Sequence, residues 1–236
     1  MNLILIEPGD MVSETSRARL NGRRFEHVRD VHRAAVGDRL RIGLVNGRIG
    51  FGTVVRLEAE TVELDVTLHE DPPPPLPATV LLALPRPKSL KRVLQGLTSM
   101  GVKRIFLLNA WRVEKSYWLT PLLQADGIRQ QLLLGLEQGR DTQLPAVELR
   151  RRLKPFVEDE LAAIAGATIK LVAHPDAAAA CPRALTQAVT LAIGPEGGFI
   201  QYEVDLLRAH GFAAVSLGPR RLRVEQAVAA LLGRLF

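Results

Sequence analysis

Residues 191–199 read LAIGPEGGF, and residues 217–230 read LGPRRLRVEQAVAA. Each stretch takes over where an apolar run ends, 188–193 in the first case and 212–217 in the second. Each breaks at a Gly-Pro pair and passes into a helical pattern. The reading is strand, tight loop, helix, twice in succession. In the first loop Gly194, Pro195, Gly197 and Gly198 surround a single carboxylate, Glu196. Glycine lets backbone amides and carbonyls approach a ligand closely, and proline pre-sets the loop by fixing φ. A pair of ordinary strand-to-helix turns is the competing reading. The recurrence as Gly218-Pro219 followed by Arg220, Arg221 and Arg223 weighs against it.

The spacing excludes two common phosphate loops. No lysine and hydroxyl follow Gly198 as GxxxxGK[ST] requires, and the GxGxxG spacing of a dinucleotide loop is absent. A carboxylate inside the loop would also repel a polyphosphate. The pattern therefore favours a neutral or cationic ligand carrying adenine and ribose.

Outward from these loops, residues 78–236 alternate strands and helices. Strands are expected at 79–84, 104–108 and 168–173, and helices at 88–100, 122–137 and 153–164. The helix at 88–100 has an apolar face of Leu90, Val93, Leu94, Leu97 and Met100, with Gly101 ending it. Such an order predicts an α/β domain with a largely parallel sheet. Ligands of these sheets sit beyond the strand C-terminal ends. Three strands end in suggestive loops: Ala173-His174-Pro175, Ile193 to Gly198, and Leu217 to Leu222.

IGPEGGF followed by LGPRRLRVEQA resembles the C-terminal signature of the RsmE family of the SPOUT superfamily, bacterial enzymes that methylate N3 of a uridine in small-subunit (16S) ribosomal RNA. RPKSLKRVLQGLTSMGVKRIFLL is similar to that family's basic helix, turn and strand, and Glu137-Gln138 with Pro145 to its EQ…P segment. The resemblance implies a trefoil-knotted domain in which the three loops bind S-adenosylmethionine. The implied cofactor residues are Ala173, His174, Pro175, Ile193, Gly194, Glu196, Gly197, Gly198, Leu217, Gly218 and Leu222. It also implies a PUA-like β-barrel at the N-terminus and a homodimer paired through the C-terminal helix, 224–235. Three departures stand out. Val224 and Gln226 replace two threonines that commonly flank the family's glutamate, Asp141 stands where an arginine is usual, and the helix after the first loop opens at Ile200-Gln201 without a Ser or Thr cap.

Residues 1–70 read as that small β-rich unit, with strands at 2–6, 38–43, 48–57 and 61–68 and a short helix at 24–34. Val62, Leu64, Val66 and Leu68 alternate with Glu63, Asp65 and Thr67, and Asn46-Gly47 signals a hairpin. Nine arginines against three acids fall between Arg17 and Arg48, without a lysine. Arginine favours bidentate phosphate contact, so Arg17, Arg19, Arg23, Arg24, Arg29 and Arg33 are candidate RNA-binding residues, with a solvated charged face as the alternative. Only Phe25 and Phe51 interleave with them, so base stacking is not expected there. The proline-rich stretch 71–77 is the expected linker, extended and semi-rigid.

The 236 residues carry a formal charge of +6, and the pI near 10.0 fits an anionic partner. The expected partner is small-subunit ribosomal RNA or the 30S subunit. A lone Cys181 excludes an intramolecular disulfide and suits a reducing cytoplasm. No run approaches a membrane span and the N-terminus lacks a basic signal region, so no membrane association is expected. HExxH, GxSxG and Cys/His clusters are absent, and no metal is expected.

Methyl transfer to a uridine nitrogen needs in-line approach and loss of a proton. Glu225 is the candidate to orient or deprotonate the base, and Arg223 or Arg220 to stabilise developing charge. An acid in the first turn of a helix is favoured by the helix dipole alone, which is the competing account of Glu225. His174 is read as packing in the cofactor loop. Two further readings compete: a SPOUT enzyme with another RNA target, such as a ribose 2′-oxygen, and a non-catalytic RNA-binding assembly factor.

Overall fold

A computed structural model describes residues 3–12 and 15–236. The chain divides into two compact units, residues 1–74 with 133–144, and residues 75–132 with 145–236.

The first unit is a five-stranded sheet in the order β1-β3-β4-β5-β2, formed by β1 (Ile4–Ile6), β2 (Arg17–Asn21), β3 (Arg39–Leu44), β4 (Ile49–Leu57) and β5 (Thr61–Glu70). Only β1 and β3 run parallel. The first residue of the expected strand at 2–6 lies outside the described residues. The alternation in β5 places Val62, Leu64 and Val66 in the core with Ile4, Ile6, Ala18, Leu20 and Ile42. Asn46 takes φ 59° in the β3–β4 connection, and the amide of Gly47 bonds to the Leu44 carbonyl at 2.7 Å, so the expected hairpin forms. The register shifts at Ile49/Gly50. There a Cβ on residue 50 would lie 1.9 Å from the Thr67 carbonyl oxygen, so only glycine fits the bulge. The expected helix at 24–34 starts earlier, as α1 (Gly22–Glu26), and continues as a π-helical turn (His27–His32).

β1 is buried on both faces. Ile4 and Ile6 point to the sheet core, while Leu3 and Leu5 join Val45, Ile49 and Leu136, with Leu133 and Leu144 against them. That second face explains why residues 133–144 pack with the first unit, although the linear reading assigned them to the domain at 78–236. Arg23 binds the 1% exposed Glu137 carboxylate in a fork of 2.6 and 3.0 Å, adding a polar tie at the same place.

The second unit is a parallel six-stranded sheet in the order β11-β9-β10-β6-β7-β8. In chain order it comprises β6 (Ala78–Ala83), α2 (Pro87–Ser99), β7 (Arg104–Leu108), α3 (Ala125–Gly139), β8 (Ala146–Arg150), α4 (Leu153–Pro155), α5 (Leu161–Ala165), β9 (Ile169–Ala173), β10 (Val189–Ile193), α6 (Gln201–Ala209), β11 (Ala213–Val215) and α7 (Val224–Leu235). α3 is divided between the units at residue 132. Leu90, Val93, Leu94 and Leu97 of α2 are buried as the apolar face required, and Gly101 follows the helix with φ 85°. α2 packs against α7. The end of α7 is gripped by the segment after β9. Arg234 Nε donates to the Cys181 carbonyl at 2.7 Å, and the Leu185 amide to the Leu235 carbonyl at 2.6 Å.

Candidate active site

The loops after β9, β10 and β11 open on one cleft of about 480 Å³ at the C-terminal ends of those strands. Every residue expected to hold the cofactor lines it. The first loop supplies Ala173, His174 and Pro175; the second Ile193, Gly194, Glu196, Gly197 and Gly198; the third Leu217, Gly218 and Leu222. Arg220 lines the cleft too, and Leu231 of α7 with Phe199 adds apolar wall. Arg223 and Glu225 do not line it.

The glycine-rich loop is shaped by close backbone contact. A Cβ on residue 194 would come within 2.8 Å of the Phe199 amide nitrogen and 3.1 Å of Gly198 Cα, and Gly198 itself has φ 71°. Glu196 does not point at the cleft alone. Its Oε1 accepts the Arg86 amide at 3.1 Å, capping the start of α2, with Arg86 Nε 3.8 Å away. His174 is spoken for locally: its amide donates to the Val215 carbonyl at 2.9 Å and its Nδ1 accepts the Asp176 amide at 3.3 Å. Asp176 pairs with Arg221 at 2.7 Å, which joins the first loop to the third across the mouth.

Glu225 faces α2. Its carboxylate accepts hydrogen bonds from its own amide and the Ser89 hydroxyl, with Arg92 Nη1 at 3.8 Å. Those hydrogen bonds, with Arg223 and Arg92, outweigh burial and hold its pKa below the ordinary carboxylate range. Ser89 in turn accepts from Arg86 Nε at 3.2 Å. The first turn of α2 thus anchors both Glu196 and Glu225. Arg223 is the N-cap of α7, its amide held by Gln226 Oε1 at 3.3 Å, so the glutamine at the departed position has a capping role. Asp141, at the other departure, is buried at 3% and accepts the Gln143 amide at 2.9 Å.

Three residues escaped the linear reading. Glu203, 4% exposed, accepts the Ile200 amide at 3.0 Å and the Trp111 amide at 2.7 Å. It thereby caps α6, where no Ser or Thr does, and ties down the loop after β7. Arg112 of that loop donates from Nη1 to the Gly197 carbonyl and lines the cleft. Glu203 sits three residues after the helix start, the position a capping acid takes, and that spacing was the one available signal. Arg112 and Trp111 carried none, because their partners lie 85 and 92 residues away.

In the first unit the candidate arginines separate. Arg19 pairs with Glu63, Arg23 with Glu137, Arg24 with Asp10 and Arg29 with Asp30. Arg17 and Arg33 are exposed. Among the described residues no group of three or more His, Cys, Asp or Glu is placed to hold a metal ion. No described helix is long and apolar enough to cross a membrane.

A family model described as RNA methyltransferase domain matches residues 72–235. The chain belongs to this RNA methyltransferase family. Ribosomal RNA small subunit methyltransferase E of Treponema pallidum is 28% identical, over 98% of this chain and 88% of that protein. Ribosomal RNA small subunit methyltransferase E 1 of Borreliella burgdorferi is 24% identical, over 98% and 95%. The crystal structure of a ribosomal RNA small subunit methyltransferase E from Neisseria gonorrhoeae, bound to S-adenosylmethionine, superposes with TM-score 0.74 at 19% identity, covering 98% of this chain and 95% of that one. A Legionella pneumophila methyltransferase in complex with the same cofactor gives TM-score 0.70 at 24% identity, covering 98% and 96%. The RsmE resemblance drawn from the two Gly-Pro loops therefore holds over nearly the whole RNA methyltransferase chain. Its fold is the expected SPOUT-type α/β domain with a PUA-like β unit.

Proposed function

We propose that this chain methylates N3 of a uridine in small-subunit ribosomal RNA, using S-adenosylmethionine. The observation that carries the reading is the single cleft lined by all eleven cofactor-loop residues of a family member. Its volume suits a nucleoside-sized ligand. Ile193, Phe199 and Leu231 offer apolar wall for an adenine, and the glycine backbone of residues 194–198 offers hydrogen-bonding edges without side-chain bulk. Bound there, S-adenosylmethionine supplies an electrophilic methyl group on a cationic sulfur, and Glu196 and Asp176 at the cleft suit that charge.

The residues of the chain then divide the work. Arg220 lines the cleft and stabilises negative charge developing on the uracil ring as N3 loses its proton. Arg223, exposed at the start of α7, supports the same charge. Glu225, with its pKa pulled down, stays ionised at neutral pH and is a weak base. Its role is to orient the first turn of α7 and its arginines, and the N3 proton leaves to water.

The first unit serves as the RNA-binding part, with exposed Arg17 and Arg33 free to meet phosphates and the ion-paired arginines contributing less. The protein acts as a homodimer in the cytoplasm, where ribosomal subunits are assembled. The apolar stripe of α7 is spent inside its own unit, so pairing through α7 uses the exposed small residues Ala229, Ala230 and Gly233. Transfer of labelled methyl groups to small subunits and to their naked RNA tests the reading. Calorimetry showing no S-adenosylmethionine binding would sink it and the ribose-methylating alternative together, and cofactor binding without transfer to any RNA would favour the assembly factor.

A further inference from the structure

The chain has two tryptophans, and the second unit treats them in opposite ways. Trp118 is 8% exposed, and its indole N–H donates to Asn109 Oδ1 at 2.8 Å. Trp111 is 79% exposed. A large aromatic left in water forgoes the stabilisation that burial brings, so its exposure on a well-held loop calls for a reason.

The loop is held tightly. Ala110 and Val113 are buried at 4% and 7% and close a turn through the Val113 amide and Ala110 carbonyl at 3.0 Å. The Trp111 amide is fixed to buried Glu203 at 2.7 Å. At the next residue Arg112 donates to the Gly197 carbonyl, and its methylenes lie so close that a Cβ on Gly197 would come within 2.9 Å of Cδ. Trp111 is thus tied through its backbone to α6 and Arg112 to the cofactor loop, and only the indole is left free. An aromatic side chain with its backbone fixed loses just two torsions on binding, which makes it a low-cost stacking platform.

We propose that Trp111 is a positioning residue for the RNA, stacking an unpaired nucleobase beside the target uridine at the rim of the cleft. The proposal rests on the methyltransferase reading for the identity of the RNA. The surrounding charge selects a nucleic acid over an apolar protein partner: Arg112, Arg220 and Arg221 line the cleft and Arg86 lies 3.8 Å from Glu196, four arginines against the two acids Glu196 and Asp176. Stacking on an aromatic face tolerates any base and is disrupted by alanine substitution. The loop meets the first Gly-Pro stretch at Gly197, so a base held on Trp111 is registered against a loop that lines the methyl-donor site.

The test compares Trp111→Ala and Trp111→Phe with the parent protein in three measurements. In methyl transfer, Trp111→Ala should raise KM for RNA roughly tenfold or more, with kcat changed less, and Trp111→Phe should recover most of the loss. S-adenosylmethionine affinity by calorimetry should be unchanged in both. Titration of a short single-stranded RNA should quench the exposed tryptophan fluorescence of the parent protein, and Trp111→Phe should abolish that quenching because Trp118 is buried. An unchanged KM together with unchanged quenching would overturn the proposal. A fall from dimer to monomer in Trp111→Ala by light scattering, with RNA affinity restored at high protein concentration, would make the indole a subunit contact and also overturn it. The fluorescence titration needs no turnover. Quenching by RNA in a protein that transfers no methyl would therefore defeat the methyltransferase reading while leaving the stacking site standing.

Discussion

Replacing Gly194 by alanine would put a methyl group 2.8 Å from the Phe199 amide nitrogen and 3.1 Å from both Gly198 Cα and Gly198 carbonyl carbon. All three neighbours are backbone, so no side chain can swing away. Ordinary contact begins near 3.4 Å, and the segment at 198–199 must move outward by about 3.4 − 2.8 = 0.6 Å. Overpacking of this kind costs about 1–3 kcal/mol, which for a chain of this size lowers Tm by roughly 2–4 °C per kcal/mol. The displaced atoms line the cleft, so cofactor affinity should fall by about tenfold or more. Gly198→Ala makes a useful contrast. Its Cβ meets nothing within 4 Å, and the strain comes only from φ 71°, about 1–2 kcal/mol, with little change in cleft shape. Calorimetry with S-adenosylmethionine and a melting scan on both variants decide the matter. Wild-type affinity in Gly194→Ala, or a larger loss in Gly198→Ala, would refute the account of how this loop is built.

Four more outcomes follow from named contacts. Glu203→Ala leaves the Trp111 and Ile200 amides without their acceptor and should cost about 1–3 kcal/mol for each amide left buried, read as a lower midpoint in urea; Glu203→Gln, which keeps an acceptor, should cost less. Arg23→Ala strands a 1% exposed carboxylate and should destabilise the first unit by about 3–5 kcal/mol, and adding Glu137→Gln should return much of it; additive losses would contradict the pairing. Because the Glu225 carboxyl is depressed in the folded state, its contribution to stability is present above the ordinary carboxylate pKa and lost only as pH falls through the lower folded value. Activity between about pH 6 and 9 should therefore show no inflection that Glu225→Gln removes, and such an inflection would restore Glu225 as the general base. Burial raises the Cys181 thiol pKa, so native protein should resist a disulfide reagent at neutral pH and react only on unfolding.

Local pattern carried most of the second unit. α2 announced itself through four buried positions at helical spacing, and β6, β7 and β10 through short apolar runs. The loops that line the cleft were legible because glycine widens and proline narrows the backbone conformations available wherever they stand. What escaped was set by distant partners or by weak local signal. β2 alternates Arg17 and Arg19 with Ala18 and Leu20, and its charge masked a strand whose apolar side reaches the core. β8 is a mostly exposed edge strand whose short apolar residues are interrupted by Glu148 and Arg150. The start of α3 slipped from the expected 122 to Ala125, because Pro121–Leu123 forms a separate 3₁₀ turn. Glu225 was expected to face the reaction and turns instead to Ser89 and Arg92, a choice made by a helix more than 130 residues earlier. The same holds for the arginines of the first unit. Their number suggested an RNA face, but Glu63, Asp10 and Glu137, which occupy three of them, come from elsewhere in the chain.

Nucleoside analysis of small-subunit RNA after incubation with the protein and labelled S-adenosylmethionine tests the central claim most directly. Label is expected in 3-methyluridine, and is expected to be lost in Arg220→Ala while cofactor binding survives. Label in a 2′-O-methylated nucleoside, or none in the presence of bound cofactor, would contradict it.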